Sequence, residues 1–351
     1  MAIRKVCVAM SGGVDSAGAA LLLRQQGYEV FGVTLRLRSA GASDPQEQDI
    51  ADARSVADTL GIPHTVLDLR ELFQREVMDR FVSEYAAGRT PNPCVDCNRC
   101  IKFGALLDWA LDHGADALAT GHYARVGQDE ASGRHLLLRG TDRRKDQSYV
   151  LYQLTQHQLS HLLLPVGSCE KPKLRAMAEQ AGLRNAHRAD SQDICFIPDG
   201  DYVSFLRSYG GVVSVPGDFV DLEGRVLGRH QGLECYTTGQ RKGLGLGIEH
   251  PYYVCEKRPE DNTVVLGPNE ALFTTELDAG DFNWIAYDTP PAELHVKAKI
   301  RYRQQEQPAT VTQNPDSTVH VSFDEPQRAI ARGQAVVLYD GDTVVGGGTI
   351  L

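Results

Sequence analysis

The apolar run Val6-Cys7-Val8-Ala9-Met10 passes directly into Ser11-Gly12-Gly13-Val14-Asp15-Ser16, and a helical pattern follows from Val14 to Gln26 until Gly27 stops it. A buried-type strand that turns through two glycines straight into a helix commits this end of the chain to an α/β architecture. The alternation continues. Val30–Leu35, Pro63–Leu67 and Ala117–Thr120 read as strands, and Asp49–Leu60 and Ala105–His113 as helices. Phe73, Val77, Met78, Phe81 and Tyr85 recur on one face of a further helix. The predicted unit is a Rossmann-like parallel sheet with helices on both faces.

The 351 residues suffice for two or three domains. Residues 124–140 read as a hairpin turning at Ser132-Gly133, helical patterns dominate from Ser148 to Ala181, and Gly210-Gly211 marks a boundary. Short strands and Gly or Pro turns follow. From His295 to Arg303 the pattern alternates strictly, with Val296, Ala298, Ile300 and Tyr302 on one face and Lys297, Lys299, Arg301 and Arg303 on the other. The expected division is a nucleotide domain over 1–211, a small central domain over 212–278 and a C-terminal β-barrel over 279–351.

The loop from Ser11 to Ser16 has the chemistry of a phosphate cradle. Glycines without side chains let backbone N–H groups approach an anion, and the helix N-terminus adds partial positive charge. Ser11 and Ser16 offer hydroxyl donors, while Asp15 makes sense beside phosphates if Mg2+ bridges them. The alternative is an ordinary glycine turn with a serine cap. The ending Gly-Lys-Ser/Thr of a Walker A loop is absent; the hexapeptide resembles the PP-loop of ATP pyrophosphatases, which implies activation of a substrate oxygen by AMP.

No apolar run reaches the ~18 residues of a membrane span, and the start of the chain lacks a signal-peptide core. The expectation is a cytosolic protein whose eight cysteines are not a disulfide framework. Three of them cluster in Thr90-Pro91-Asn92-Pro93-Cys94-Val95-Asp96-Cys97-Asn98-Arg99-Cys100-Ile101-Lys102-Phe103, and Cys195 lies in Asp190-Ser191-Gln192-Asp193-Ile194-Cys195-Phe196-Ile197. Both segments are expected to be loop-like. Two thiols near an activated carbon allow a sulfur relay, in which one carries a persulfide sulfur and the other resolves the mixed species as a disulfide. Sulfur attacks as an anion, so a basic neighbour is expected, and Arg99 and Lys102 are the candidates. A zinc site completed by Cys100 or a plain redox pair are the blander readings of these cysteines. Cys7 reads as core, and Cys169, Cys235 and Cys255 as structural.

Net charge is −10, which disfavours indiscriminate nucleic-acid binding. Arg143-Arg144-Lys145, Arg241-Lys242 and the basic face from Lys297 to Arg303 are nonetheless local patches. Each alone is an ordinary solvated face. Tyr302 is either a core residue or an aromatic ring for RNA.

Taken together, these segments resemble the tRNA-specific 2-thiouridylase family. The resemblance rests on Ser11–Ser16, Thr90–Phe103, Ala119-Thr120-Gly121-His122-Tyr123, Lys145-Asp146-Gln147-Ser148-Tyr149, Asp190–Ile197, Thr238-Gly239-Gln240-Arg241-Lys242-Gly243 and Lys299–Arg303, in family order along nearly the whole chain. It implies an adenine nucleotide alpha-hydrolase-like fold and ATP-dependent adenylation of O2 of the wobble uridine in tRNAs for Lys, Glu and Gln, followed by sulfur transfer. It implies Cys195 as persulfide carrier and Cys97 as its partner nucleophile. Ala9, Met10, Ser11, Gly12, Gly13, Val14, Asp15, Ser16, Leu35 and Gly121 match the ATP contacts. Asn92, Pro93 and Cys94 match the residues at the target base, and Lys145, Asp146, Gln147, Arg301 and Tyr302 match tRNA contacts. A cysteine desulfurase or sulfur-relay protein is implied as donor. The chain departs from the family pattern at Cys94, where many members carry Asp; by resemblance to related tRNA thiolases, Cys94, Cys97 and Cys195 would hold three irons of a [4Fe–4S] cluster as the alternative to a persulfide. Two other classes compete: an ATP-dependent amide or amidine synthetase, which leaves Cys97 and Cys195 unexplained, and a metal-dependent RNA-binding module, which leaves the nucleotide loop idle.

Overall fold

The computed structural model describes residues 3–38, 45–188, 194–247 and 251–351. Asp190 to Asp193, the first four residues of the second cysteine motif, lie outside the described residues.

The first unit is built on a five-stranded parallel sheet. Its strands are β1 (Lys5–Ala9), β2 (Glu29–Arg36), β3 (His64–Asp68) and β4 (Ala117–Ala119), with the two-residue Leu162–Leu163 at one edge. The order is β3-β2-β1-β4 followed by Leu162–Leu163, all parallel. Val6, Cys7 and Val8 are fully buried, as a central strand covered on both faces must be. Burial pushes the Cys7 thiol up to about 12, which leaves it inert at neutral pH. Strand order reverses between β1 and β4, so the loops leaving their carboxyl ends diverge around a crevice, the usual ligand site of an open α/β sheet. The first of those loops is Ser11–Gly13, which runs into helix α1 (Val14–Gln25); α2 (Pro45–Leu60) follows β2.

Two longer helices depart from the expected pattern. Residues 70–86 form one helix whose middle, Gln74–Asp79, is π-helical, and residues 93–112 form another whose middle, Cys97–Ala105, is π-helical. The second starts twelve residues before the helix expected from Ala105, so Cys97 lies on a helix and not in a loop. The prolines and cysteines hide its start in the sequence. Asn92 accepts a hydrogen bond from Cys94 N at 3.2 Å and Pro93 takes the first helical position, together a proper N-terminus. Cys195 does lie in a turn.

The predicted hairpin is present as β5 (Ala124–Gln128) and β6 (His135–Arg139), but its partner was not foreseen. The segment Ser148–Ala181, read as helical, also contains the edge strand Leu162–Leu163. A small central sheet follows, with β7 (Gly217–Val220), β8 (Val226–His230), β9 (Tyr253–Arg258) and β10 (Thr263–Gly267) in the order β9-β10-β7-β8. The last six strands are β11 (Phe273–Trp284), β12 (Glu293–Lys299), β13 (Gln307–Gln313), β14 (Val319–Arg328), β15 (Ala335–Asp340) and β16 (Thr343–Ile350). They run β11-β14-β13-β12-β15-β16, and β11 pairs back to β16, closing an antiparallel barrel. Strand β16 also pairs with β6 through Thr343–Leu138 and Val344–Leu137, so one hydrogen-bonded sheet passes from the nucleotide unit into the barrel. Tyr149 reinforces this junction by donating its hydroxyl to Ala335 O at 2.8 Å, and Asn283 by donating to Tyr152 O at 2.7 Å.

The central sheet meets the first helical unit through a buried lysine. Lys257 on β9 is 8 % exposed, its ammonium has no hydrogen-bond partner among the described residues, and it sits 5.9 Å from the Tyr85 ring centre. Burial lowers its pKa to about 8, against a smaller opposing effect from Glu234. The fold therefore favours the neutral amine while the unfolded chain keeps it protonated, so this group makes stability rise as pH climbs from about 8 towards 10.5. Lys257→Met is expected to raise stability at pH 7 by about 1–3 kcal/mol. The gain should shrink as pH approaches 10.5, which thermal unfolding across a pH series would read. An equal gain at every pH would contradict the assignment.

Candidate active site

The nucleotide loop is shaped from within. Ser16 Oγ donates to Gly13 O at 3.0 Å and accepts from Ser11 N at 3.1 Å, so its hydroxyl builds the loop and is not a spare phosphate donor. Ser11 remains exposed. Gly12 has φ +75°, and a Cβ there would stand 2.5 Å from Asp49 O. Gly121, just beyond β4, packs against the same loop: a Cβ there would meet Asp15 C and Ser16 N at 2.6 Å each. Ala9 ends β1, Met10 is buried beneath the loop, Val14 is buried at the start of α1, and Leu35 lies on β2 beside them. The ten positions matched to ATP contacts thus belong to β1, its loop, α1, the adjacent β2 and the end of β4, all around the crevice where strand order reverses.

Asp15 also has partners within the protein. Its Oδ1 is 2.6 Å from Lys171 Nζ and 2.9 Å from the Tyr123 hydroxyl, so a buried ammonium shares the carboxylate. Asn185 donates to Gly12 O at 2.9 Å, and Arg188 reaches Gly12 O at 3.4 Å while pairing with Asp49 and Asp52. Sequence reasoning missed Lys171, Asn185 and Arg188, which reach the loop from more than 150 residues away. Their only local signal is a set of polar side chains on and just after a helix whose apolar face is buried.

The second half of the site is a set of cysteines on helix 93–112 and in the turn that carries Cys195. Cys97 is 8 % exposed and packs among Phe73, Phe81, Ile101 and Phe196, whereas Cys94 and Cys195 keep solvent contact. Burial pushes the Cys97 thiol up to about 12; Lys102 opposes this, while Cys195, Cys94 and Asp96 add to it. Desolvation also raises Cys195 and Cys94, although both keep solvent contact. Asp96 is buried beside Arg80 at 3.2 Å, and desolvation lifts its carboxyl to about 6. The three cysteines sense one another's charge, so the fold brings together residues 98 positions apart. Among the described residues, however, no group of three His, Cys, Asp or Glu side chains is arranged to hold a metal ion.

Helix 93–112 adjoins the nucleotide loop. His122 follows Gly121, is 9 % exposed, lies 2.7 Å from Thr120 Oγ1 through Nδ1 and packs 5.6 Å from the Phe103 ring. Burial and the charge of Lys102 hold it neutral, well below the usual imidazole range.

Tyr302 is 39 % exposed, which removes the core reading for it. Lys299 Nζ stands 5.7 Å from its ring centre, Tyr149 lies 6.0 Å away, and the phenol responds electrostatically to Cys94. The barrel therefore lends an aromatic ring to the surroundings of the cysteines. The alternating strand ends at Lys299, so Arg301 turns inward, donating to Ala329 O at 2.7 Å and Thr238 O at 3.3 Å. It ties the 238–243 segment to the barrel. Asp146 accepts from Gly140 N at 3.0 Å and Ser148 Oγ at 2.9 Å, and Gln147 accepts from Tyr123 N at 3.0 Å. Those acceptors brace the loop carrying Lys145. Asn92 spends its oxygen on the helix cap and Pro93 is buried, leaving Cys94 as the exposed member of the trio matched to the target base.

Comparison with known proteins covers nearly the whole chain. Residues 4–199 match the family model described as tRNA methyl transferase HUP domain. Residues 203–268 match the tRNA methyl transferase PRC-barrel domain and 274–350 the aminomethyltransferase beta-barrel domain. The tRNA-specific 2-thiouridylase MnmA of Carboxydothermus hydrogenoformans is 52 % identical over 99 % of this chain and 97 % of its own length. That of Moorella thermoacetica is 50 % identical over 98 % of each, and that of Clostridioides difficile 47 % over 99 % and 98 %. Among solved structures, the U34-tRNA thiolase NcsA of Methanococcus maripaludis with its [4Fe-4S] cluster aligns at 18 % identity and TM-score 0.37, over 59 % of this chain and 67 % of that one. A likeness that slight does not carry a cluster across.

Proposed function

The chain belongs to the tRNA-specific 2-thiouridylase family, and from that premise we propose how its residues divide the work of transferring sulfur to a tRNA uridine. The amide-synthetase and metal–RNA readings are set aside, since each leaves half of the site unused.

In the proposed route ATP enters the crevice at the ends of β1 and β4, and its phosphates take up the N–H groups of the loop and of the first turn of α1. Mg2+, held by the phosphates with Asp15 as a protein carboxylate, would neutralise charge on the pyrophosphate leaving group. The uridine O2 attacks the α-phosphorus, pyrophosphate leaves, and C2 becomes electrophilic because O2 is now part of a good leaving group. The base must be turned out of its stack to reach this point. Tyr302 and Cys94 are the proposed surroundings of the extruded base, with Asn92 and Pro93 fixing the turn. Lys145 and the basic residues near it face the RNA backbone, and Asp146, Gln147 and Arg301 support the segments that do so.

The observation that carries the sulfur assignment is the contrast between the two thiols. Cys195 is open to solvent, as a residue loaded by a donor protein must be, and Cys97 is sealed in an apolar cluster. A persulfide anion on Cys195 attacks C2 with its terminal sulfur and AMP departs with the C2–O bond electrons. Cys97, as thiolate, then attacks the Cys195 sulfur. The bond to the transferred sulfur breaks, 2-thiouridine is released, and a Cys97–Cys195 disulfide remains that needs two electrons from an external thiol reductant. No step is routed through an iron–sulfur cluster. A cysteine desulfurase or relay protein in the cytosol is the proposed source of the persulfide, and the wobble uridine of tRNAs for Lys, Glu and Gln the proposed target.

The test is reconstitution: purified protein, ATP, Mg2+, a persulfide donor and unmodified tRNA with iron excluded. The expected product is tRNA in which one oxygen is replaced by sulfur, seen by nucleoside mass spectrometry, with AMP and pyrophosphate formed. Thiolation that appears only after iron and sulfide are supplied would overturn the persulfide route.

A further inference from the structure

Three cations from three different units converge beside the run that leads into the cysteine helix. A cavity of about 270 Å³ lies where the loop after helix 70–86, strand β9 and the barrel meet, and Arg89, Lys257 and Arg332 line it together with Pro259 and Leu351. It falls just short of the ~300–1,000 Å³ that enclose a drug-sized ligand, so it suits a compact group. Lys257 is nine-tenths buried. Burial lowers its pKa only to about 8, so it is charged at pH 7. Glu234 is the carboxylate that acts on it, and that group already accepts from Ser214 Oγ. Arg332 stands on the exposed rim, while Arg89 is paired with Glu84 at 2.6 Å. Among the described residues no carboxylate, that of Leu351 included, lies within ion-pair distance of Lys257 or Arg332. A buried ammonium without an anion is costly, and the chain places none in contact with it.

The walls are pinned to one another. A Cβ on Gly88 would stand 2.9 Å from Pro259 Cγ, and one on Gly333 would stand 2.9 Å from Arg89 Cβ and 3.0 Å from Thr90 N. Thr90 N donates to Arg332 O at 2.8 Å, and Gln334 Nε2 donates to Thr90 O at 2.8 Å. Thr90 is two residues before Asn92, whose side chain caps helix 93–112. A lysine and an arginine from separate elements present a point charge and a fork from different directions. That suits the several oxygens of a phosphate better than one planar carboxylate. We propose that this cavity is a phosphate site, held by Lys257 and Arg332 with Arg89 beside them, which takes a phosphate of the RNA backbone or free inorganic phosphate. A group bound there ties helix 70–86, the central sheet and the barrel together at the entrance to the cysteine helix. The lysine that costs the fold stability on its own then serves binding.

Thermal unfolding at pH 7 in about 10 mM sodium phosphate, against sodium chloride of equal ionic strength, tests the site in wild type, Lys257→Met and Arg332→Gln. A non-hydrolysable ATP analogue occupies the nucleotide loop throughout. Phosphate is expected to raise the wild-type midpoint by about 2 °C beyond its general salting effect. The salting effect should remain in both variants and the specific rise should vanish. Filter binding of tRNA over a salt series is the second arm; it rests on the tRNA reading above, and the first arm does not. If the phosphate belongs to RNA, each variant should bind tRNA roughly three- to tenfold more weakly with a salt slope lower by about one, and inorganic phosphate should compete. Loss of the phosphate effect with tRNA binding unchanged assigns the site to the free anion. No difference among the three proteins in either arm overturns the site. Absence of tRNA binding in wild type overturns the functional reading instead, and the first arm still decides the site. Arg332 is exposed, so Arg332→Gln carries the comparison if Lys257→Met does not fold.

Discussion

Replacing Cys195 by Ala is expected to lower tRNA thiolation by about a thousandfold or more while ATP and tRNA still bind. The side chain is exposed and the turn that carries it makes no use of the sulfur for packing, so the fold should be indifferent to the change. Cys97→Ala should give a different phenotype. With the carrier intact, the persulfide still reaches C2, but nothing resolves the C2–S–S–Cys195 linkage. A covalent RNA–protein adduct should accumulate, stable in denaturant and released by dithiothreitol, at up to one equivalent of enzyme. Single-turnover assays with labelled tRNA on denaturing gels distinguish the two variants. Undiminished turnover in either, or an adduct in Cys195→Ala, would refute the division of roles.

The second large effect is expected at Gly121. An added Cβ would stand 2.6 Å from Asp15 C and Ser16 N, and both are backbone atoms that cannot swing aside. The nucleotide loop must shift by something near an ångström, taking with it the N–H groups aimed at the phosphates. A displacement of that size costs on the order of a hundredfold in an oriented site. Gly121→Ala should therefore weaken ATP binding by about that factor, read by calorimetric titration, with thiolation falling in parallel and alkylation of Cys195 unaffected. ATP affinity within twofold of wild type would show that the loop is not the nucleotide site.

What the sequence revealed followed the range of the interactions involved. The nucleotide loop was legible because strand, glycine turn and helix start are contiguous from Val6 to Gln25. The barrel strands were legible because alternation is local, as at Val319, Val321 and Phe323, all buried. The long-range partners were not. Nothing near Asp15 announces Lys171, and nothing near Gly12 announces Asn185 or Arg188. Helix 93–112 was read from Ala105 only, because a π-helical middle breaks the 3.6-residue period on which the pattern depends. Arg301 was counted with the outward face of a strand that ends two residues earlier. A relay between Cys97 and Cys195 was suggested by their chemistry and their roles by resemblance, since neither spacing nor periodicity predicts a contact across 98 residues.

The three family models meet this chain as three consecutive pieces, which invites the view that it could be dissected into them. The pairing of β6 with β16 forbids that. A fragment ending before Thr343 would leave Leu137 and Leu138 on a bare strand edge, an adhesive surface of the kind that seeds aggregation. The barrel fragment would in turn lose the strand that shields one of its own edges. The three pieces share a hydrogen-bonded seam: the unit that carries the Ser11–Ser16 loop and the barrel beside Tyr302 are joined by backbone, so cutting between them exposes strand edges on both sides.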